Sequence, residues 1–184
     1  AHDAAYDTTE NSGHVRVYRY DGTAWNQRGG DLDGLKEGDQ FGSAVALSAD
    51  GTIVAVGARY GGTEHTRGSV RVFKWDGAAW NDLGQPGGFE GPEGRSMIGS
   101  TLGMSADGLV IATSSKYHGT LFVYEYDAGN KSWVLPAGGT VKESFPNDDA
   151  QREAIAAGNT GTEFNQASAS AGWFGWRVAM SGDG

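Results

Sequence analysis

From Val15 to Tyr20 the chain reads Val-Arg-Val-Tyr-Arg-Tyr, and from Val70 to Trp75 it reads Val-Arg-Val-Phe-Lys-Trp. Successive side chains of a strand point to opposite faces, so valines and aromatics with basic residues interleaved predict a strand that buries one face and wets the other. A second pattern has no wet face. Residues 52–58 and 109–113 are small, β-branched and hardly charged, which predicts strands covered on both sides within a stack of sheets. Asp-Gly pairs at Asp21-Gly22, Asp50-Gly51, Asp76-Gly77 and Asp107-Gly108 punctuate these runs. Glycine after aspartate supplies the positive φ of a tight turn, so each run is predicted to fold back on the next.

The pattern is periodic. Residues 13–26, ending Asp-Gly-Thr-Ala-Trp-Asn, return as residues 68–81, ending Asp-Gly-Ala-Ala-Trp-Asn, a shift of 55 residues. A third copy runs over 119–127, with Trp133 in the place of Trp25 and Trp80 after a hairpin two residues longer. Between these copies, residues 41–58 recur as 98–113 and begin again at 174–184. Recurrence at a fixed spacing marks a repeat architecture, and two hairpins per period make four strands. The expected fold is all-β, a single domain of about three repeats of four antiparallel strands. Half a unit falls at 13–28, whole units at 41–84 and 98–135, an inserted loop at 136–172, and the start of a further unit at 174–184.

Composition agrees and narrows the function classes. Thirty-one glycines and 11% aromatic residues suit short strands joined by tight turns. Only 38% of the chain is hydrophobic, so burial has to come from small segments stacked on one another. The formal net charge of −9 disfavours a nucleic-acid backbone or an anionic lipid surface as partner. Cysteine is absent, which removes disulfides, thiolate metal sites and thiol nucleophiles. No apolar run is long enough for a membrane-spanning helix, and the opening Ala-His-Asp-Ala-Ala-Tyr lacks the basic and apolar regions of a signal peptide.

Phe41-Gly42-Ser43 leading to Val54-Ala55-Val56-Gly57-Ala58 resembles the FG-GAP repeat of integrin-α-type β-propellers. Phe174-Gly175 opens a further copy, and Ile98-Gly99 is a weakened one. The resemblance implies a seven-bladed extracellular propeller that binds protein or glycan partners through loops on one face, with the small strands near its axis. Propellers close with four to eight blades, whereas 184 residues hold about 3.3 periods. The chain is therefore expected to be a portion of a longer polypeptide, or to complete its ring by association. Many such repeats hold calcium in the first hairpin through several acids in series, since Ca²⁺ takes six to eight oxygen ligands. Here Ser48-Ala49-Asp50-Gly51 and Ser105-Ala106-Asp107-Gly108 keep only the last acid, which reads as a turn residue.

The remaining calcium candidate is the set Asp31, Asp33, Glu37 and Asp39. A solvated acidic loop is the preferred reading, because Lys36 sits among them and the corresponding segments 85–97 and 137–172 do not keep the acids. No metal or other cofactor is expected. Recurrence of Trp25, Trp80 and Trp133 at one position favours packing between units over sugar stacking. Trp173, Phe174 and Trp176 break the repeat beside the insertion; they either cap the unit or offer a contact surface, and are the binding candidates. Asn130-Lys131-Ser132 makes Asn130 a glycosylation candidate. Residues 149–157 predict a short helix ended by Gly158, in a long loop suited to contacting a partner.

The histidines His2, His14, His65 and His118 share no metal-triad spacing, and His14 and His118 read as loop-edge positions beside a strand-opening glycine. No nucleophile elbow, phosphate loop or His-Glu-x-x-His motif is present. The expected role is a non-enzymatic interaction or structural module, secreted or at the cell surface, an organelle lumen being a further possibility. The alternative is a carbohydrate-binding, lectin-like propeller or an enzyme domain with an axial pocket.

Overall fold

A computed structural model describes residues 11–63, 66–92, 94–115 and 120–142, and every regular element among them is a strand. The first unit holds β1 (His14–Val15), β2 (Tyr18–Tyr20), β3 (Trp25–Gln27) and β4 (Leu32–Asp33), with β1 paired to β4 and β2 to β3. The second is a five-stranded sheet of β5 (Phe41–Leu47), β6 (Ile53–Ala58), β7 (Ser69–Trp75), β8 (Trp80–Asp82) and β9 (Phe89–Glu90). The third repeats it with β10 (Gly103–Met104), β11 (Val110–Ser115), β12 (Thr120–Asp127), β13 (Ser132–Val134) and β14 (Thr140–Lys142). All pairings between these strands are antiparallel.

Each sheet exceeds the expected four strands by one. The fourth and fifth strands share one edge of the third: Trp75 pairs with Trp80 at one end of β7, while Ser69 pairs with Glu90 at the other. Strands of two or three residues are too short to show alternation, which is why β4, β9 and β14 left no periodic signal. Strand β14 lies inside the stretch expected as an inserted loop. The rest of that stretch, including the helix expected at 149–157, lies outside the described residues.

Strand β6 explains the layering. Val54, Val56 and Ala58 join Val17, Leu32, Phe41 and Phe73 in a cluster against the first unit. The alternate residues Ile53 and Ala55, with Val70, Val72 and Phe89, join Ile111, Phe122, Tyr124 and Trp133 of the third unit. The second sheet is thus the middle of three layers, and fully burying each Val or Ile contributes about 1.5–3 kcal/mol. In β11 the corresponding stretch carries hydroxyls, yet they are buried too. The Thr113 hydroxyl accepts from the Gly99 N–H at 2.9 Å, and the Ser114 and Thr101 hydroxyls bond each other at 2.7 Å. Hydrogen bonding offsets the desolvation that a buried hydroxyl otherwise costs.

Candidate functional site

Where one unit meets the next, the same contacts recur. The Trp80 indole N–H donates to the carbonyl of Arg28 at 2.6 Å, and the Trp133 indole N–H to that of Leu83 at 2.7 Å. The residues after those carbonyls are Gly29 and Gly84. A Cβ on Gly84 would stand 2.7 Å from the Trp133 ring, and one on Gly29 would stand 2.9 Å from the Trp80 ring. Glycine is therefore needed where each indole lies. The Arg28 guanidinium adds a cation–π contact, 4.9 Å from the Trp75 ring centre.

A second recurring contact lies at the FG strand. The N–H of Phe41 donates to the Ser12 carbonyl at 2.8 Å, and the N–H of Ile98 to the Arg67 carbonyl at 3.1 Å. Phe41 and Ile98 fill equivalent buried slots, so isoleucine replaces phenylalanine without opening the seam. Gly57 meets Gly99 so closely that a Cβ on Gly57 would lie 2.0 Å from the Gly99 carbonyl oxygen. The Ser43 hydroxyl lies 3.0 Å from the Gly57 carbonyl and 2.9 Å from that of Gly99, clamping the approach. The turns after β5 and β10 also touch, with Ala49 N–H donating to the Ala106 carbonyl at 2.9 Å.

The turn acids are bound locally. Ser48 Oγ donates to Asp50 Oδ1 at 2.7 Å while accepting from the Ile53 N–H, and Ser105 with Asp107 repeats the arrangement. The Ser48 hydroxyl and the Thr52 amide and hydroxyl hold the Asp50 carboxyl down to about 2. Asp21, Asp76 and Asp127 each accept main-chain N–H groups two and three residues ahead, and these bonds, led at Asp127 by the Asn130 side-chain amide, hold their carboxyls below the usual range.

The four carboxylates of the acidic loop do not converge. Asp31 is held by Arg16 at 2.7 Å and by Gln27 at 2.7 Å, and those two bonds keep its carboxyl near 2. Asp33 lies in β4 and Glu37 is exposed, while Asp39 is buried and accepts from the Lys36 N–H. Among the described residues no group of three His, Cys, Asp or Glu is placed to hold a metal ion.

Asn130 is exposed on the turn between β12 and β13, where its amide donates to Asp127 Oδ2 at 2.6 Å. Trp173, Phe174 and Trp176 lie outside the described residues, as do His2, His65 and His118. His14 opens β1 beside Gly13, as expected, and it is buried where β4 and β5 pack beside β1. Trp25 also departs from the expected packing role. It is 69% exposed, since no described element stands before the first unit.

A cleft of about 160 Å³ separates the loop after β4 from the second sheet, lined by Lys36, Asp39, Phe41, Arg71 and Glu90 among others. Arg71 donates to the Asp33 carbonyl at 3.0 Å and pairs with Asp82 at 3.3 Å, while its guanidinium lies 4.6 Å from the Phe73 ring centre. Glu90 accepts from the amide and hydroxyl of Thr63, and Lys36 donates to the Gly62 carbonyl. The cleft is smaller than the ~300–1,000 Å³ usual for small-molecule sites. Sequence reasoning missed the Arg28-Gly29 and Leu83-Gly84 acceptors; their only trace was a glycine four residues after Trp25 and Trp80.

No curated protein matches the chain. Among solved structures, it is similar to a candidate 6-phosphogluconolactonase from Bacteroides fragilis, with a TM-score of 0.49 and 16% identity over 71% of this chain and 33% of that one. The chain spans about a third of the length of that structure. Residues 33–73 match the FG-GAP repeat family, a range that takes in the buried Phe41, the Gly57 approach and the whole of β5, β6 and most of β7. The chain therefore carries an FG-GAP repeat at residues 33–73.

Proposed function

We propose that this chain is part of a seven-bladed β-propeller and serves as a non-catalytic module, secreted or at the cell surface, that presents its loops to a protein partner. The observation that carries the reading is where the recurring side chains go. Trp80 and Trp133 bond the preceding unit, and Asp21, Asp76 and Asp127 bond their own turns. Recurrence in this chain thus maintains the stack, and binding falls to the parts that differ from unit to unit, which are the loops. The repeat match at 33–73 supports both the propeller reading and the surface location.

The test is the intact mass of the native polypeptide, followed by tryptophan emission across a glycan panel. A mass well above 19.3 kDa and an emission spectrum unmoved by sugars are the expected results. A sugar-dependent shift would replace the protein-binding reading with a lectin. A monomeric native chain of 19.3 kDa would remove the closed propeller.

A further inference from the structure

Arg16 and Arg71 hold the same place in successive repeats, 55 residues apart, and their guanidinium groups meet different surroundings. The Arg16 Nε–H donates to the Asp31 carboxylate at 2.9 Å, with a further bond from Nη2 at 2.7 Å. Asp31 directly precedes β4, whose Leu32 pairs with Val15. In the second unit Phe89 pairs with Val70 in the same register, so Gly88 stands in the place of Asp31. That place admits no side chain, because a Cβ on Gly88 would lie 2.1 Å from the Val70 carbonyl oxygen and 2.8 Å from Arg71 Cγ. Nη1 and Nη2 of Arg71 find the Asp33 carbonyl and Asp82, but its Nε–H is buried and meets no acceptor among the described residues. A buried donor without an acceptor is costly, and native structures carry few of them without a reason.

Gly88 and Arg71 both line the cleft between the loop after β4 and the second sheet. Ser69 is two residues before Arg71, hence on the same face of β7, and Glu90 pairs opposite it, while Lys36 and Asp39 line the cleft from the loop. Two cations and two carboxylates thus surround about 160 Å³. The set belongs to this seam, since the counterparts of Arg71 and Asp39 at the next are Phe122 and Ser96, both buried. A plain anion would meet Asp39 and Glu90 as like charges, and a plain cation would meet Arg71 and Lys36. A molecule that carries both charges is complementary to both pairs, and the size of the cleft restricts it to a few non-hydrogen atoms. We infer that the cleft binds a small zwitterionic α-amino acid, whose carboxylate takes on Arg71 the place that Asp31 has on Arg16, and whose ammonium group lies toward Asp39 and Glu90. The site is built entirely at the seam between the first and second units and depends neither on ring closure nor on a protein partner.

The probe is glycine, titrated into the whole chain by isothermal calorimetry, with sodium acetate and methylammonium chloride as the two halves of the zwitterion. Glycine is expected to bind saturably, at one site per chain and below about 10 mM, and each half at least about tenfold more weakly. Arg71→Lys keeps the charge but removes the Nε–H, and is expected to weaken glycine at least about tenfold. Glu90→Gln keeps an acceptor for Thr63 while removing the charge at the other end, and a similar weakening is expected. Circular dichroism checks the fold of both, and Glu90→Gln decides the matter if the arginine variant does not fold. Lack of saturable glycine binding, or binding that the folded variants leave unchanged, overturns the inference. Acetate binding as tightly as glycine overturns the zwitterion and leaves a site for a plain carboxylate. Failure of the propeller reading would show separately, in the native mass.

Discussion

Trp25, Trp80 and Trp133 hold one position in the repeat and meet three environments. Trp133 is 5% exposed and bonded to the Leu83 carbonyl, whereas Trp25 is 69% exposed. Trp133→Phe leaves that carbonyl without its donor, so it is expected to destabilise the protein by about 1–3 kcal/mol in urea unfolding. Trp25→Phe is expected to stay within about 0.5 kcal/mol, and of these three tryptophans Trp25 should be the most accessible to iodide quenching. The equivalence of the three indoles was legible in the sequence. Their different burial was not, because it depends on a carbonyl some fifty residues earlier in the chain.

The acids make a second statement at the residue scale. Asp31 and Asp50 have carboxyls held near 2 by bonds that exist only in the folded chain, while an unfolded aspartate titrates near 4. A depressed folded pKa contributes stability that is present above about pH 4 and is lost as pH falls through about 2. The melting temperature should accordingly drop between about pH 4 and pH 2. The drop should be smaller in Asp50→Asn, which has no charge to titrate. Circular-dichroism melts across that range check it; an identical profile in the variant would remove Asp50 as a cause.

At the scale of elements, glycines 57 and 30 separate two roles. Gly57 has an ordinary φ, so alanine there is opposed only by the 2.0 Å approach to the Gly99 carbonyl, which is main chain and has little room to give. Gly57→Ala is expected to cost about 3 kcal/mol, as overpacking at a rigid contact does. Gly30 has no atom within 4 Å of an added Cβ, and Gly30→Ala should be neutral or slightly stabilising. Thermal denaturation of the two variants side by side tests the seam. The hairpins, their Asp-Gly turns and the doubly buried β6 were readable because they rest on contiguous patterns. The fifth strands were not, since two or three residues pair only where the third strand offers an edge.

For the whole molecule, the distribution of burial follows from stacking order. Strand β6 of the second unit is covered on both faces, and the first unit exposes Tyr18 and Tyr20 on the side where the equivalent Phe73 of the second unit is buried. By itself the sequence determined the all-β class, the repeat and its spacing, the turns and the FG-GAP likeness, because side-chain alternation and turn chemistry are properties of neighbouring residues. Only the tertiary structure decided that Asp31 belongs to Arg16 and is separated from Asp39, that Gly57 meets Gly99, and that Val45 and Leu47 lie open while Leu102 and Met104 are covered. Those outcomes depend on which distant segment is packed alongside, and a local pattern that recurs identically in every unit carries no record of its neighbours.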